Sequence, residues 1–285
     1  MMSNNDQKIC LVTGANSGVG KEIAMGLAKS GAHLIMVCRD FNKGQSTLEE
    51  IKIASGSQSI DLLIADLSSQ KNIQILSKTI YENYPKLHVL INNAGVVLSK
   101  KIFSADGVEM TLATNYLGPL RLTLALHHLL EKSAPSRIIN IFSAIHKWAR
   151  LDLTDLQYEK RKYQFMKAYA QSKLLMNIMT IDLARKFEGT GVTVNCIHPG
   201  AIKTALGSNN AHSLILKFID KLIKFFFLTP KQAAKPILDL LMSPDLENVT
   251  GKYFVKGRVA QPSLASYDPA LAAKVYSISK QWLTS

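Results

Sequence analysis

Two residues of this sequence, Tyr169 and Lys173, have the types and spacing needed to move a proton. They lie in a predicted helix over 165–187, where a separation of four places the phenol and the ammonium on one face. An isolated tyrosine has a pKa of ~10, too high for a base at neutral pH, but a fixed cation beside it favours the phenolate. Lowering that pKa by about three units takes roughly 4 kcal/mol of differential stabilisation. Because such a pair is also common on helix surfaces, other residues must decide between the two interpretations.

A glycine-rich turn near the start of the chain has the form of a nucleotide-binding loop. The segment Thr13-Gly14-Ala15-Asn16-Ser17-Gly18-Val19-Gly20 follows an apolar run and leads into an amphipathic helix. Gly14 suits a tight turn, while Gly18 and Gly20 let the backbone approach a pyrophosphate and let the helix pack on the strand. Free N–H groups at the helix N-terminus favour the same anion. A purely structural turn is the alternative, but the strand–turn–helix context favours a dinucleotide.

The end of the second predicted strand bears on which nicotinamide cofactor is bound. An acidic residue there binds a ribose 2′-hydroxyl, whereas a basic residue suits a 2′-phosphate. Here Cys38 stands where the acid is expected, Arg39 follows it, and Lys43 is close behind. The sequence therefore predicts NADP(H), with Arg39 as a cofactor contact. In the alternative, Asp40 binds the ribose and Arg39 is a solvated surface charge.

Short apolar runs alternate with longer amphipathic stretches, which is the pattern of repeated β–α units and a parallel sheet. Seven strands are predicted, at Lys8–Thr13, His33–Cys38, Ile60–Ala65, Val89–Asn92, Arg137–Phe142, Val192–Ile197 and Tyr253–Val255. Helices are predicted at Ser17–Ser30, Asn42–Ala54, Gln70–Asn83, Gly107–Glu131, Phe165–Phe187, Pro230–Met242 and Pro269–Trp282. The sequence thus predicts an α/β fold: a single Rossmann-type, doubly wound domain over 1–285, with a mostly parallel seven-stranded sheet and helices on both faces. Its cofactor half is expected at about 1–145, and its catalytic and substrate half at about 146–285.

Composition and charge narrow the classes of partner. Of the 285 residues, 47% are hydrophobic and 19% are charged, which is ample for a folded core. The net charge of +13 favours anions such as nucleotide phosphates, acidic lipid headgroups or nucleic acid. The chain has no zinc-finger spacing, no RNP-like motif and no dense block of lysine and arginine, so we expect no nucleic-acid partner. It also lacks a secretory-signal pattern and a run of about 18 apolar residues, so we expect a cytoplasmic protein.

The cysteines and histidines give no indication of a metal site. Cys10, Cys38 and Cys196 lie in predicted buried strands, where a thiol behaves as a small hydrophobe, so we expect neither a disulfide nor a metal. The adjacent His127 and His128 are expected to point to different sides of a helix.

Further motifs follow the glycine turn in a fixed order along nearly the whole chain. They are Asp66-Leu67, Asn92-Asn93-Ala94-Gly95, Asn115, Ser143, Tyr169-x-x-x-Lys173 and Pro199-Gly200 with Thr204. With these motifs the chain resembles the short-chain dehydrogenase/reductase family. Phe142 stands where the family often has a second serine, and Ser143 and Tyr169 are 26 residues apart, a longer separation than in many members. That spacing, the segment Asn140–His146 and the strand end at Arg39 are similar to the retinol dehydrogenase-like subgroup, and protochlorophyllide reductases share parts of the pattern.

The resemblance implies roles for the candidate residues. Tyr169 would give a proton to a carbonyl oxygen or take one from an alcohol, and Ser143 would hydrogen-bond the same oxygen. Lys173 would bind the nicotinamide ribose and lower the pKa of Tyr169, and Asn115 would hold a water that links Lys173 to solvent. The implied cofactor contacts further along the chain are Asp66, Leu67, Asn92, Ala94, Gly95, Pro199, Gly200, Ile202 and Thr204. The implied substrate is a bulky lipophilic aldehyde, ketone or alcohol, with NADP(H) as cofactor.

A rival from another class is a non-catalytic NADP(H)-binding sensor or scaffold on the same fold. The intact set of Asn115, Ser143, Tyr169 and Lys173 favours the enzyme, because a retired enzyme has little reason to retain it. The resemblance also makes a homodimer through the helices predicted at Gly107–Glu131 and Phe165–Phe187 an expectation by analogy.

An apolar block at Ser213–Leu228 interrupts the alternation of strands and helices. Its sequence predicts an amphipathic helix with a wide apolar side and a narrow stripe containing three lysines and Asp220. Three interpretations stay open: a lid that gives the site an apolar pocket, a helix packed on the core or on a second copy, and a helix lying in a membrane surface.

Overall fold

The strands are short apolar segments whose bounds lie close to those predicted. The structure is a computed structural model that describes residues 7–201 and 228–283. Its strands are β1 (Ile9–Thr13), β2 (His33–Cys38), β3 (Ile60–Ile64), β4 (Val89–Asn92), β5 (Ser136–Ile141), β6 (Val192–His198), β7 (Tyr253–Val255) and β8 (Arg258–Ala260). These described strands form one sheet in the order β3-β2-β1-β4-β5-β6-β7-β8, in which β1 to β7 run parallel. The last strand, β8, runs antiparallel to β7.

Helices cover both faces of this sheet. They are α1 (Gly18–Lys29), α2 (Phe41–Ser55), α3 (Gln70–Asn83), α4 (Met110–Leu112), α5 (Gly118–Lys132), α6 (Phe165–Lys186), α7 (Pro230–Met242) and α8 (Pro269–Leu283). The helices α1, α2 and α7 share one core cluster with the sheet, and α3, α5, α6 and α8 share the other. The predicted α/β, Rossmann-type doubly wound fold is confirmed.

Successive side chains of β1 divide between these two cores. Leu11 is buried on one face, while its neighbours Cys10 and Val12 are buried on the opposite face. A strand covered on both faces in this way must be apolar at every position, which is why it has a continuous apolar sequence rather than an alternating one. The three cysteines are free thiols buried in β1, β2 and β6.

The sheet has an eighth strand that the sequence did not indicate. Lys256 and Gly257 both have left-handed backbone conformations, with φ of 50° and 83°. Two such residues form the tight turn that suits a two-residue hairpin, and Val255 pairs with Arg258 across it. Because β8 has only three residues and its Arg258 and Val259 are exposed, it has no apolar periodicity to mark it.

The helix predicted at Gly107–Glu131 is in fact three segments. Gly107 has φ of 72°, and the Glu109 carboxylate accepts hydrogen bonds from the backbone N–H groups of Thr111 and Leu112, so α4 begins only at Met110. A π-helical turn over Ala113–Leu117 then joins α4 to α5. Such wide turns recur at functional sites, where they reorient a side chain.

Arg121 on α5 holds three separate elements together. It is 6% exposed, and its Nη1 lies 2.8 Å from Oδ2 of Asp106, which also accepts a 2.8 Å bond from the backbone N–H of Gln70 at the start of α3. Its Nη2 donates to Oε1 of Gln70 at 3.2 Å and to the carbonyl oxygen of Trp282 near the end of α8. Arg121 therefore fastens α3 and α8 to α5. No helix among the described residues has the length and apolar character needed to cross a membrane.

Replacing Arg121 by methionine is expected to lower the free energy of unfolding by about 3 kcal/mol, because it leaves the Asp106 carboxylate without its buried cation. Urea unfolding followed by circular dichroism measures the change. Lys132→Met, at an exposed position of the same helix, is the matched control and should change stability by no more than about 0.5 kcal/mol. Equal stabilities for the two variants would contradict this account of Arg121.

Candidate active site

A cleft opens at the carboxyl ends of the parallel strands, beside the point where the order reverses between β1 and β4. Ligands of open α/β sheets bind at this kind of position. The cleft has a volume of about 1280 Å³. Among the residues predicted to bind a cofactor, those that line it are Gly14, Asn16, Ser17, Gly18, Val19, Gly20, Arg39, Asp66, Leu67, Ala94, Gly95, Tyr169, Lys173 and Pro199. The predictions for Ile202, for Thr204 and for nearly all of the block at 213–228 lie outside the described residues.

The glycine turn after β1 has the conformation that its residues allow. Gly14 has φ of 65° and donates its N–H to the carbonyl oxygen of Val37 on β2 at 2.8 Å. Gly18, the first residue of α1, has φ of 55°. Both angles are unfavourable for residues with a Cβ atom, so glycine is needed here for the chain to turn from strand into helix.

Asn93, a residue that was not predicted to act, locks this turn to the end of β4. Its Nδ2 donates to the carbonyl oxygens of Thr13 and Gly14 at 2.8 and 3.2 Å. The Thr13 hydroxyl oxygen accepts from the backbone N–H groups of Asn93 and Ala94 at 2.9 and 3.0 Å. A Cβ atom at Gly20 would lie 2.3 Å from Asn93 Nδ2, so the packing excludes any side chain there. The doubled asparagine of the Asn92-Asn93-Ala94-Gly95 motif was the signal that could have found Asn93.

The side chain of Asn92 points away from the cleft. It is 1% exposed, and its Nδ2 donates to Thr123 Oγ1 at 3.2 Å and to Asn140 Oδ1 at 2.8 Å. Asn140 in turn donates to Thr180 Oγ1 at 2.8 Å. The cofactor contact predicted for Asn92 needs correction, since this side chain links the sheet to helices and Asn93 is the asparagine at the cleft wall.

Asp66 lies at the wall of the cleft and shapes its own loop. Its Oδ1 accepts hydrogen bonds from the backbone N–H and the hydroxyl of Ser68 at 2.9 and 2.7 Å. This closed turn brings Leu67 against Gly118, where a Cβ atom would lie 2.5 Å from the Leu67 carbonyl oxygen. Gly200, by contrast, is not among the lining residues, and it has φ of 114°.

The strand end that bears on cofactor choice presents two basic side chains to the cleft. Arg39 and Lys43 both line it, and so do Asp40 and Cys38, whose thiol has its pKa raised to about 11 by burial. Asp40 is the N-cap of α2 and accepts a 3.0 Å hydrogen bond from the backbone N–H of Lys43. The Asp40 carboxylate also lies 3.9 Å from Lys43 Nζ, so it already has partners within its own turn.

Tyr169 and Lys173 lie on one face of α6, as their spacing predicted. Both line the cleft, and Lys173 Nζ lies 5.8 Å from the centroid of the Tyr169 ring. Lys173 is 5% exposed and donates to the carbonyl oxygen of Ile141 at the end of β5, at 3.1 Å. Lys173 is therefore buried and Tyr169 partly buried in the cleft, and the interpretation as a surface pair is excluded.

The π-helical turn places Asn115 beside this pair. Asn115 is fully buried; its Oδ1 accepts from the backbone N–H of Val96 at 2.7 Å, and its Nδ2 donates to the Val96 carbonyl oxygen at 2.9 Å and to Ser172 Oγ at 3.1 Å. A Cβ atom at Gly95 would lie 3.3 Å from Asn115 Oδ1 and 3.8 Å from Lys173 Nζ. Asn115 thus fixes the loop that closes over Lys173.

Burial sets the protonation behaviour of the two central groups. Desolvation raises the pKa of the Tyr169 phenol, and a hydrogen bond with the Ser143 side chain opposes part of that rise. Desolvation lowers the pKa of the Lys173 ammonium to about 8. Two titratable side chains with perturbed pKa values at the base of a cleft are typical of a catalytic site.

The two adjacent histidines on α5 do not diverge as expected. The ring centroids of His127 and His128 are 3.7 Å apart, and Glu131 lies close enough to complete a group of three potential metal ligands. Nδ1 of His128 lies 3.2 Å from Glu131 Oε2. Side-chain torsions bring the rings together, which helix geometry alone did not indicate.

Comparisons with known proteins agree with this geometry. The family model described as short chain dehydrogenase matches residues 8–214. Retinol dehydrogenase 11 of Homo sapiens is 38% identical over 272 residues, which cover 95% of this chain and 84% of that protein. The chain belongs to the short-chain dehydrogenase family, and it is an oxidoreductase that acts on CH–OH and C=O groups.

Solved structures of two other proteins align with most of this chain. A complex of RhlG with NADP from Pseudomonas aeruginosa aligns with a TM-score of 0.71 and 25% identity, covering 88% of this chain and 95% of that one. A structure of actinorhodin polyketide ketoreductase with NADPH aligns with a TM-score of 0.70 and 26% identity, covering 90% of this chain and 99% of that one.

Because the Lys173 ammonium is desolvated, Lys173→Met is expected to raise the free energy of unfolding of the cofactor-free protein by about 3 kcal/mol at pH 7. Below pH 8 the lysine is charged in both states, and the folded state carries the full cost of burying it. Between pH 8 and about 10.4 the folded protein releases this proton while the unfolded chain keeps it, so wild type gains stability with pH and the difference shrinks.

Urea unfolding at pH 7 and pH 10 measures this effect. Lys167→Met, at an exposed position of the same helix, is the control and should leave stability almost unchanged at both values. If Lys173→Met were no more stable than Lys167→Met at pH 7, burial of the charge could not be the cause of the lowered pKa.

Proposed function

We propose that this protein is an NADP(H)-dependent reductase or dehydrogenase of a lipophilic carbonyl/alcohol pair. The observation that carries the proposal is that Tyr169 and Lys173 line one cleft together with Arg39 and Lys43, and that the Ser143 side chain interacts with the Tyr169 phenol. The first pair therefore suits proton transfer, and the second suits a phosphate.

The cleft wall fits a dinucleotide because it has glycines where a phosphate must approach the backbone closely. Gly14 and Gly18 have left-handed conformations, and the packing at Gly20 excludes a Cβ atom. These glycines lie at the N-terminus of α1, whose free N–H groups favour an anion. Asp66 and Leu67 at one wall, and Lys173 and Pro199 deeper in the cleft, would hold the adenosine and nicotinamide portions respectively. When bound, the nicotinamide supplies or accepts the hydride.

Side chains of the protein transfer the proton. Tyr169 gives a proton to the carbonyl oxygen in reduction and takes one from the alcohol in oxidation. Ser143, which shares a hydrogen bond with Tyr169, donates to the same oxygen and stabilises its developing charge. The Lys173 ammonium favours the phenolate electrostatically, and Asn115 keeps the Gly95–Val96 loop in place against it.

Two observations support NADP(H) over NAD(H). Arg39 and Lys43 line the cleft beyond β2, where a 2′-phosphate would lie, and Asp40, which also lines it, already accepts a hydrogen bond within the α2 cap. The structural relatives named above were solved with NADP and NADPH. The lipophilic substrate class is supported by the similarity to a protein named retinol dehydrogenase.

Tyr169→Phe is expected to lower kcat for NADPH-linked carbonyl reduction by about 100- to 10,000-fold, because it removes the group that transfers the proton. NADPH absorbance across a panel of lipophilic aldehydes and ketones measures the rate. Tyr81→Phe, at an exposed tyrosine of α3, is the matched control and should retain wild-type kcat. Equally slow oxidation of NADPH by wild type and Tyr169→Phe would instead support a non-catalytic sensor.

Arg39→Ala is expected to weaken NADPH binding by about 10- to 100-fold, which corresponds to the loss of a charge-assisted hydrogen bond to a phosphate. NADH binding should change by less than about threefold, because NADH lacks the 2′-phosphate. Isothermal titration with both cofactors measures this, with Arg258→Ala, at an exposed position on β8, as the control. Tighter binding of NADH than of NADPH by wild type would overturn the cofactor assignment.

A further inference from the structure

His146 is a fully buried histidine three residues after Ser143, in a 3₁₀ turn over Ala144–Trp148. Its Nδ1 lies 3.0 Å from the carbonyl oxygen of Ser143, which also accepts a 3.3 Å hydrogen bond from the backbone N–H of His146. Its Nε2 accepts a 3.2 Å bond from the backbone N–H of Ser263. Both ring nitrogens therefore have partners, although the two partners are 120 residues apart in the sequence.

These partners allow one tautomer. A backbone N–H can only donate, so Nε2 of His146 must carry the lone pair and the ring proton must be on Nδ1. A carbonyl oxygen can only accept, so the Nδ1 proton is donated to the carbonyl oxygen of Ser143. The neutral ring is thus a directional bridge between the Ser143 loop and the segment at Ser263.

The bridge continues to the helix that carries Tyr169 and Lys173. Ser263 Oγ lies 3.3 Å from Ser266 Oγ, which accepts a 3.0 Å bond from Asn177 Nδ2. Asn177 is one helical turn beyond Lys173 on α6. A chain of hydrogen bonds therefore runs from the Ser143 carbonyl through His146 to the catalytic helix.

Packing keeps the His146 ring in this orientation and uncharged. Its centroid lies 4.6 Å from that of Phe142 and 5.4 Å from that of Tyr253 on β7. Burial lowers the pKa of His146 to about 4, the hydrogen bond to Ser143 opposes this, and the nearby Lys147 and His198 lower it further. The ring is neutral throughout the physiological range, so the bridge is permanent rather than a pH switch.

We propose that His146 is a positioning residue that sets the placement of the Ser143 hydroxyl relative to Tyr169, through its two hydrogen bonds to Ser143 and Ser263. This inference rests on the proposed function. Ser143 follows β5 whereas Tyr169 lies on α6, so their relative position depends on the contacts that join the loop to the helix. His146 supplies one of these contacts, because its bond to Ser263 continues through Ser266 to Asn177 on α6.

The first test compares His146→Phe, which keeps an aromatic ring but loses both hydrogen bonds, with His146→Asn, whose amide can still donate to the Ser143 carbonyl. His146→Phe should lower kcat by about 10- to 100-fold with little change in the NADPH dissociation constant, since a displaced hydroxyl stabilises the transition state less well. His146→Asn should recover part of that loss. His128→Phe, at an exposed histidine of α5, is the control and should behave as wild type.

A second pair of variants removes the partner's N–H instead of the ring. Ser263 has φ of −69°, which proline adopts without strain, so Ser263→Pro deletes the N–H that Nε2 of His146 accepts. Ser263→Ala keeps that N–H and loses only the hydroxyl. The proposal requires a larger fall in kcat for Ser263→Pro than for Ser263→Ala. Equal effects of the two substitutions, with both proteins folded by circular dichroism, would overturn it.

A third readout does not depend on turnover. The phenol of Tyr169 can be titrated by NMR of protein labelled with ¹³Cζ-tyrosine, its signal assigned as the one missing from Tyr169→Phe. The Ser143 side chain lowers the pKa of this phenol, so displacing Ser143 in His146→Phe should raise the titration midpoint by about half a pH unit or more.

The outcomes separate the two proposals. An upward shift in His146→Phe with no carbonyl turnover in wild type would uphold the positioning role of His146 and reject the proposed function. Normal turnover in wild type with an unchanged Tyr169 midpoint and unchanged kcat in His146→Phe would reject the positioning role and leave the proposed function standing.

Discussion

The burial of the Lys173 ammonium is the constraint on which the arrangement of the cleft depends. Desolvating a charge is unfavourable, and its pKa falls to about 8 accordingly. Two neighbours accommodate the ammonium: its Nζ donates to the carbonyl oxygen of Ile141, and the adjacent Gly95 has no side chain that would crowd Asn115. The helix that carries Lys173 is held by its buried side chains over most of its length, which supply apolar stabilisation to offset this cost. The protein thus holds a desolvated ammonium beside the phenol of Tyr169.

The same edge of the sheet brings together groups that belong to different β–α units. Thr13 ends β1 and Asn93 follows β4, and their reciprocal hydrogen bonds join two adjacent parallel strands just where the strand order reverses. Because Asn93 occupies the space beside Gly20, the start of α1 lies against the end of β4. The conformation of the glycine turn is therefore set by this polar contact as well as by the conformational freedom of its glycines.

Polar networks beneath the cleft tie the catalytic elements into one frame. Asn92, Asn140 and Thr180 connect two strands with α6, and His146 connects the Ser143 loop with the segment that contacts Asn177 on the same helix. Buried hydrogen bonds of this kind are directional, so they determine orientation in a way that apolar packing does not. Because Ser143 and Tyr169 lie on separate elements, the relative position of their side chains depends on such contacts.

Local patterns in the sequence determined the elements and most of the candidate site. Apolar runs identified seven of the eight strands in the described part of the chain, and helical periodicity placed Tyr169 and Lys173 on one face, because both features depend on neighbours a few residues away. The glycine turn was recognisable for the same reason. Tertiary structure decided what depends on distant contacts: which of two adjacent asparagines faces the cleft, the π-helical turn at Asn115 and the pairing of β8 with β7. The bridge from His146 to Ser263 is of this second kind, since a hydrogen bond between residues so far apart along the chain leaves no local periodicity in the sequence.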